Sequence, residues 1–214
     1  MGGGLPARRP SRAARGGFTL VELLMGMGIS LAFAAGLYAF FFAGLDAANT
    51  DASQAQAQTG LRQTVELFTR DVRQAVSPDD GINGGIQSLT ATSAVVYVDP
   101  NRDPTATVPR PLRVRYQLVG TQLLRDVARP VGAAPPYSYT AYSTPVVMAE
   151  PVRNAATPVF QAFTEQGVSL GTPVAQTRDI KTVRIRLIVG QRTGNSQTTT
   201  ELSTDVTLRN TSKY

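Results

Sequence analysis

Residues 16–45 read GGFTLVELLMGMGISLAFAAGLYAFFFAGL. From residue 23 to residue 45 this stretch contains 23 consecutive residues without a charged side chain. An α-helix rises about 1.5 Å per residue, so a helix of this length crosses the roughly 30 Å hydrocarbon core of a bilayer. The stretch therefore predicts one membrane-spanning helix near the N-terminus.

Basic residues lie on one side of this apolar run. Residues 1–17 contain no acidic residue, and the first basic residue after the run is Arg62. Because positively charged flanks stay in the cytoplasm, this asymmetry predicts a cytoplasmic leader and places the chain after residue 45 on the other side of the membrane. The basic residues of the leader are Arg8, Arg9, Arg12 and Arg15.

Two ordinary explanations of such a beginning are incomplete. A secretory signal peptide has a shorter apolar region and a small-residue cleavage site, whereas this run is longer and continues into a polar helical pattern. An uncleaved membrane anchor fits the length and the charge, but it does not account for Glu22. An ionised group in lipid costs at least about 2.5–3.5 kcal/mol, so Glu22 either reaches the headgroups from the leading edge or has a partner.

A resemblance to the processing site of type IV prepilins and type II secretion pseudopilins is carried by nine residues, Gly16-Gly17-Phe18-Thr19-Leu20-Val21-Glu22-Leu23-Leu24. The resemblance implies that a membrane peptidase cuts after Gly17 and N-methylates Phe18, the new N-terminus, while the apolar run is retained. It also implies that the Glu22 carboxylate pairs with the terminal amine of Phe18 on a neighbouring subunit. Each charge would then offset the other's cost of burial.

Beyond the apolar run, the sequence predicts that the helix continues. No proline occurs between residues 18 and 77, and Pro78-Asp79-Asp80-Gly81 is a run of turn formers, so we predict one helix over residues 18–77. Residues 46–60 are polar. From residue 61 onward apolar residues recur at steps of three and four, which predicts a stripe that packs on a sheet. The stripe comprises Leu61, Val65, Phe68, Val72, Ala75 and Val76.

The pattern from residue 82 onward is typical of antiparallel β structure. Alternating apolar residues predict a hairpin from residues 112–118 through a Gly120-Thr121 turn to Leu123 and Leu124. A second predicted hairpin pairs residues 183–189 with residues 202–208 around a polar turn at 190–197. Further strands are predicted at residues 94–98, 146–149 and 159–163, and a long surface loop at residues 129–144.

These elements predict an α+β fold, in which one long N-terminal helix packs its second half on an antiparallel β-sheet head. This is also the pilin fold that the resemblance implies. Further segments resemble PilW-like minor pilins and J-type pseudopilins: residues 70–75 (RDVRQA), the hairpin with Tyr116, Leu123 and Arg125, and residues 208–210 (LRN). The expected division is a cleaved basic leader at residues 1–17, a transmembrane assembly helix at 18–45, a periplasmic half of the helix at 46–77 and a β head at 78–214.

The composition excludes much of enzyme chemistry. The chain has no Cys and no His, which removes thiolate zinc sites, thiol nucleophiles and the commonest general base near neutral pH. No glycine-rich phosphate loop follows a predicted strand, and no cofactor is expected. We therefore predict a structural protein and not an enzyme. The lack of cysteine also departs from pilins that close a C-terminal loop with a disulfide.

One weak metal candidate is present. Asp99, Asn101 and Asp103 match the first half of a calcium loop. The match then breaks, because Pro104 and Arg110 stand where an EF-hand requires Gly and Glu. An exposed polar connection between strands is the favoured interpretation.

The charge balance raises nucleic acid as a partner. The chain carries 21 basic and 15 acidic residues, but four of the basic residues belong to the leader, which leaves 17 against 15 after processing. Alternation places Arg113 with Arg115, and Arg184 with Arg186, on outward sheet faces. These arginine pairs either bind DNA phosphates or simply occupy the solvent-exposed face of a half-buried sheet. The second interpretation is favoured, and nucleic acid is not expected as a partner.

Together these expectations favour a minor type IV pilin, a subunit that helps to initiate or cap pilus assembly after processing by the prepilin peptidase. The resemblance implies the major pilin, other minor pilins, the inner-membrane assembly platform and a tip adhesin as partners. It implies a single-pass protein of the bacterial inner membrane with a periplasmic head, which later enters a pilus or pseudopilus. The alternatives are a minor pseudopilin at the tip of a type II secretion piston, a binding subunit of a DNA-uptake pilus and an uncleaved membrane-anchored periplasmic protein.

Overall fold

The computed structural model describes residues 17–79, 84–99, 110–193 and 196–209. The chain divides into two compact units, Met1–Asn49 and Thr50–Tyr214. One long helix, α1, runs Leu20–Arg73 and contributes residues to both units. The described strands all belong to the second unit.

In the first unit, α1 is apolar on every side. Its large hydrophobic side chains are exposed in the single chain, and even Leu45, near the end of the run, is 43% exposed. The stretch Leu20–Ala52 is long and apolar enough, by length and composition, to cross a membrane. A helix that is hydrophobic all round suits lipid or a bundle of helices and not water.

The second unit contains two larger antiparallel sheets and a short ribbon. Its strands are β1 (Ile86–Leu89), β2 (Ser93–Val98), β3 (Leu112–Val119), β4 (Gln122–Ala128), β5 (Pro130–Val131), β6 (Ser138–Tyr139), β7 (Val146–Ala149), β8 (Phe160–Phe163), β9 (Thr182–Thr193) and β10 (Ser196–Thr207). One sheet has the strand order β1-β2-β3-β4-β7, the other has the order β10-β9-β8, and β5 pairs with β6. The α+β prediction is confirmed, with two sheets where one was expected.

The second half of α1 buries its predicted stripe against both larger sheets. Within this unit, the Phe68 ring lies 5.1 Å, edge to face, from the ring of Tyr116 on β3. It also lies 5.5 Å from the ring of Phe160 on β8. All three side chains are fully buried. Phe68 therefore joins the helix to the two sheets in one hydrophobic core.

The predicted end of the helix is wrong. α1 ends at Arg73 and not at residue 77. Ala75 forms an antiparallel bridge with Val98, and the N–H of Val76 donates to the carbonyl of Tyr97 at 2.9 Å. Backbone partners on β2 thus replace the last helical turn, an alternative that the proline at position 78 does not indicate.

Most of the predicted strands are confirmed. The first predicted hairpin is β3 and β4, and its turn contains Gly120 at φ +60°, a conformation that favours glycine. The predicted strands at 94–98, 146–149 and 159–163 correspond to β2, β7 and β8.

The structure corrects one prediction about connections and refines another. The polar turn expected at residues 190–197 is mostly strand, because β9 continues to Thr193 and β10 begins at Ser196. The surface loop expected at residues 129–144 contains the β5–β6 pair. Two antiparallel strands satisfy each other's backbone groups without apolar alternation, so the residue pattern does not reveal them. β1, at Ile86–Leu89, was not among the predicted strands.

Candidate functional site

The predicted processing site lies at the start of α1. Gly17 and Phe18 precede the first helical residue, Leu20, and the Phe18 side chain is 88% exposed. A Cβ atom added at Gly17 would meet nothing within 4 Å. Among the described residues, the junction between Gly17 and Phe18 is therefore uncovered. The leader arginines at positions 8, 9, 12 and 15 lie outside the described residues.

Glu22 is part of the N-terminal cap of α1. The N–H and the hydroxyl of Thr19 donate to Glu22 Oε2 at 2.9 and 3.1 Å, and the N–H of Glu22 donates to the Thr19 hydroxyl at 3.2 Å. This reciprocal arrangement is a capping box, which satisfies backbone donors that a helix start leaves open. The T-x-x-E spacing of Thr19-Leu20-Val21-Glu22 is the sequence signal of this capping box, which was not among the predicted features.

Small residues share the helix face of Glu22. Gly26, Ser30 and Ala34 follow it at steps of four and therefore lie on the same side of α1. A Cβ atom added at Gly26 would meet nothing within 4 Å. Such a stripe permits close approach of a second helix. The face that carries the carboxylate is thus also a face suited to helix packing.

A second polar cluster lies in the core of the second unit. Asp71, on α1, is 2% exposed, and Tyr116, on β3, is fully buried. The Tyr116 hydroxyl donates to Asp71 Oδ2 at 2.7 Å. Arg125, on β4, donates to the same oxygen through Nη2 at 2.8 Å and Nε at 3.1 Å. Burial, together with the charge of Asp71, raises the pKa of the Tyr116 hydroxyl above its ordinary value. The neutral Tyr116 hydroxyl thus lies beside the ion pair of Arg125 and Asp71.

The same three residues came from separate segments of the sequence. In the sequence, Asp71 and the Tyr116–Arg125 hairpin belong to two separate segments that resemble PilW-like and J-type proteins. Their contact spans 54 positions of the chain from Asp71 to Arg125, so spacing does not indicate it. The cluster ties the end of α1 to the β3–β4 hairpin and is a structural element.

The outward arginines face cross-strand carboxylates. Hydrogen bonds from Arg184 lower the pKa of Asp205 below its ordinary value. A DNA phosphate would have to displace these carboxylates, which weighs against the DNA interpretation. The pairs are Arg115 with Asp126 at 3.0 and 2.6 Å, Arg184 with Asp205 at 2.6 and 2.8 Å, and Arg186 Nε with Glu201 Oε1 at 3.0 Å.

Arg113 is covered by tyrosines from the predicted loop. Its guanidinium carbon lies 4.8 Å from the ring centroid of Tyr139 and 4.9 Å from that of Tyr142. The Tyr142 ring also lies 4.1 Å from the guanidinium of Arg115. These cation–π contacts hold the segment after β4 against the outer face of β3. The Arg113 and Arg115 surface is therefore less open than alternation alone suggests.

The described residues give no support to the metal candidate. Asp99 is half-buried, and its N–H donates to the carbonyl of Gln74 at 3.4 Å. Asn101 and Asp103 lie outside the described residues. Across residues 17–79, 84–99, 110–193 and 196–209, no group of three His, Cys, Asp or Glu is placed to hold a metal ion.

Comparison with known proteins supports the N-terminal assignment. The family model of the prokaryotic N-terminal methylation motif matches residues 12–38. A search of curated proteins found no match. A chain of the crystal structure of the GspK-GspI-GspJ complex from the enterotoxigenic Escherichia coli type 2 secretion system is similar in structure, with a TM-score of 0.46 and 16% identity over 72% of this chain and 97% of that chain. The protein therefore carries the N-terminal methylation motif of prepilin-type proteins, followed by an α+β fold with one long N-terminal helix.

Proposed function

We propose that the protein is a minor type IV pilin, made in the bacterial inner membrane, cleaved after Gly17 and assembled at low copy into a pilus or its initiating complex. The observation that carries the proposal is the methylation motif at residues 12–38, which runs directly into an exposed apolar helix of membrane-spanning length. A leader that is cut before an apolar helix leaves that helix available for assembly.

Under this proposal the first unit acts through packing and charge. Before assembly, the apolar face of α1 is buried in lipid and the leader stays on the cytoplasmic side. During assembly, the terminal amine of Phe18 on one subunit approaches the Glu22 carboxylate of the next. Because both charges are costly to bury alone, the paired position is strongly preferred over any shifted one. The pair would therefore set the axial register of neighbouring subunits.

The second unit supplies a rigid surface for partners and performs no turnover. Expected partners are the major pilin and other minor pilins, with the peptidase and the assembly platform acting earlier. The chain has no Cys and no His to serve as nucleophile or base. The buried carboxylates of Asp71 and Asp126 are paired with Arg125 and Arg115. These features favour a structural role for the second unit.

Intact mass of the protein isolated from its own cells tests the processing step. Removal of 17 residues from 214 should leave a chain of 197 residues that begins at Phe18 and carries one N-methyl group. The same protein from cells without prepilin peptidase should keep the full length. A full-length, unmethylated chain in the wild-type cells would overturn the proposal.

A deletion strain distinguishes a pilus from a secretion system, because the methylation motif is common to both kinds of subunit. We expect surface pili to be lost or sharply reduced, with secreted proteins unchanged, and both to be normal after complementation. Normal piliation with a loss of protein secretion would instead assign the chain to a type II secretion pseudopilus.

A further inference from the structure

The two larger sheets have four outer edges, formed by β1, β7, β8 and β10. At least one hydrogen bond from another described residue reaches each of the first three. The N–H of Val174 donates to Leu89 of β1 at 2.9 Å, and the N–H of Leu170 donates to Ala162 of β8 at 2.9 Å. On β7, which is four residues long, the carbonyl of Met148 accepts the Thr64 hydroxyl at 2.6 Å.

The inner strand β9 is also closed on the side away from β10. Where β8 ends, the side chain of Asn154 takes the place of a strand: it accepts from the N–H of Ile188 at 2.9 Å and donates to the carbonyl of Arg186 at 2.7 Å. Asn154 is 3% exposed. Asn154 therefore satisfies backbone groups of β9 that no strand reaches on this side of the sheet.

The outer edge of β10 differs from all of these. Because Arg186 and Ile188 of β9 point their backbone groups away from β10, the alternate residues of β9 must bond to β10. The partners of those alternate residues in β10 are even-numbered, for example Leu202 opposite Leu187. Glu201, Ser203 and Asp205 therefore direct their N–H and C=O groups outward, and no other described residue bonds to them.

Apart from the acidic residues Glu201 and Asp205, this edge has few of the features by which sheet edges usually block pairing. β10 is 12 residues long, contains no Pro, Gly or Lys, and follows β9 without a bulge. On the inner face, Leu202 is only half-buried, whereas Leu187 beside it on β9 is fully buried. A further strand beside β10 would cover Leu202 and add its own inward-facing side chains to the core.

Charge decides the kind of strand that fits. Glu201 and Asp205 lie on the exposed face of β10, and their side chains remain 51% and 48% exposed. Both already contact arginines of β9, so acidic and basic columns alternate across the sheet. A second copy of β10 would bring a second acidic column against the first, which is unfavourable. A strand with Lys or Arg at alternate positions would continue the alternation.

We propose that the β10 edge accepts an extended, basic segment of a partner polypeptide as a fourth antiparallel strand. Backbone hydrogen bonds to residues 201, 203 and 205 supply affinity, and the two carboxylates select alternating basic residues. The proposal concerns the second unit alone and goes beyond the assignment of the chain as a pilin. It does not depend on how the N-terminus is processed.

Fluorescence anisotropy with the full chain in non-ionic detergent and a labelled peptide TKTKVKTKT tests the proposal. Its lysines share one face when the peptide is extended. We expect saturable binding, and we expect the Ser203→Pro variant to bind about tenfold more weakly or worse, because proline removes an outward N–H. Ser203→Ala, which keeps that N–H, should bind like the wild type.

Two matched controls separate strand addition from simple charge attraction. The peptide KKKKTTVTT has the same composition without alternation, and a form of TKTKVKTKT with N-methylated lysine amides has the same charges without the edge donors. Both should bind at least about tenfold more weakly. Glu201→Gln with Asp205→Asn should weaken binding, whereas Glu165→Gln, at an exposed acid elsewhere, should not.

Several results would overturn the proposal. Equal binding of the N-methylated or non-alternating peptide would show attraction by charge alone. If the chain instead forms dimers that Ser203→Pro abolishes and does not bind the peptide, the occupant is a second copy. If circular dichroism shows that Ser203→Pro does not fold, the N-methylated peptide decides the outcome with the wild-type chain.

Discussion

At the scale of single residues, Asp71 is a buried carboxylate held by two neighbouring side chains. A carboxylate that is 2% exposed is costly unless it is paired, and here Tyr116 and Arg125 both donate to one of its oxygens. The Arg125 side chain is 22% exposed and the contact spans helix and hairpin. The arrangement favours one placement of the end of α1 on β3 and β4 over alternatives that leave the charge unpaired.

Replacement of Asp71 should therefore cost more stability than replacement of a surface acid. We expect Asp71→Ala to lower the free energy of unfolding by about 2–4 kcal/mol, because Arg125 and Tyr116 lose their acceptor. Asp205→Ala, at a half-exposed ion pair, should cost less than about 1 kcal/mol. Urea titration of the full chain in detergent measures both. Equal losses in the two variants would contradict this account.

The pKa of Tyr116 predicts a sensitivity to alkali. Burial raises this pKa above the ordinary value of 10.0, so the folded state keeps the proton when the unfolded state has lost it. The unfolded state then binds fewer protons, and stability is full below pH 10 and falls as the pH rises above about 10. In Tyr116→Phe the fall between about pH 9 and pH 11 should be shallower, as measured by urea midpoints. An unchanged slope would exclude Tyr116 as its source.

At the scale of secondary-structure elements, local patterns were informative where one face is buried. The apolar stripe of α1 and the alternation of β3 and β4 predicted the correct elements, because each pattern is the direct consequence of a half-buried surface. Ends and connections were less predictable. The helix stops at Arg73 because β2 competes for the backbone of residues 75 and 76. The pairing of β9 with β10 continues to Thr193 and Ser196, through residues expected to form a turn.

Asn154 provides a test at this scale, because one side chain substitutes for a strand beside β9. Its two hydrogen bonds to β9 are buried, so Asn154→Ala should lower the free energy of unfolding by about 2–3 kcal/mol. Gln87→Ala, which removes an exposed amide on β1, should change it by about 0.5 kcal/mol or less. Thermal unfolding followed by circular dichroism compares the two. A similar Tm for both variants would show that the Asn154 bonds add little.

At the scale of the whole molecule, the distribution of charge matters more than the total. Four of the 21 basic residues lie in the leader, and three of the remaining arginines on outward sheet faces contact carboxylates on neighbouring strands. Under the proposed cleavage after Gly17, 17 basic and 15 acidic residues would remain, so most of the net charge of +6 lies in residues 1–17.

Variants of Glu22 test the proposed assembly contact, because Glu22 has a local role in the helix cap and a proposed role between subunits. Glu22→Gln keeps an acceptor for the Thr19 donors but removes the charge, whereas Thr19→Val removes the cap hydroxyl and keeps the charge. If the charge pairs with Phe18 of a neighbour, Glu22→Gln should reduce surface pili at least about tenfold with normal cleavage. Thr19→Val should then have a smaller effect. Pilus counts and intact mass measure both steps, and a reversed order would assign Glu22 to the cap alone.

The N-terminal methylation motif and the α+β fold class were both predictable from the order of residues along the chain. The order of basic leader, Gly17-Phe18 junction, Glu22 and apolar run is local, so reading it requires no knowledge of distant contacts. The contact of Asp71 with Tyr116 and Arg125, the two-sheet arrangement and the position of β10 at the edge of its sheet became apparent only in the folded structure. Each of these depends on segments far apart in the chain, whose contact is set by packing of the core and leaves no periodic trace in the residues concerned.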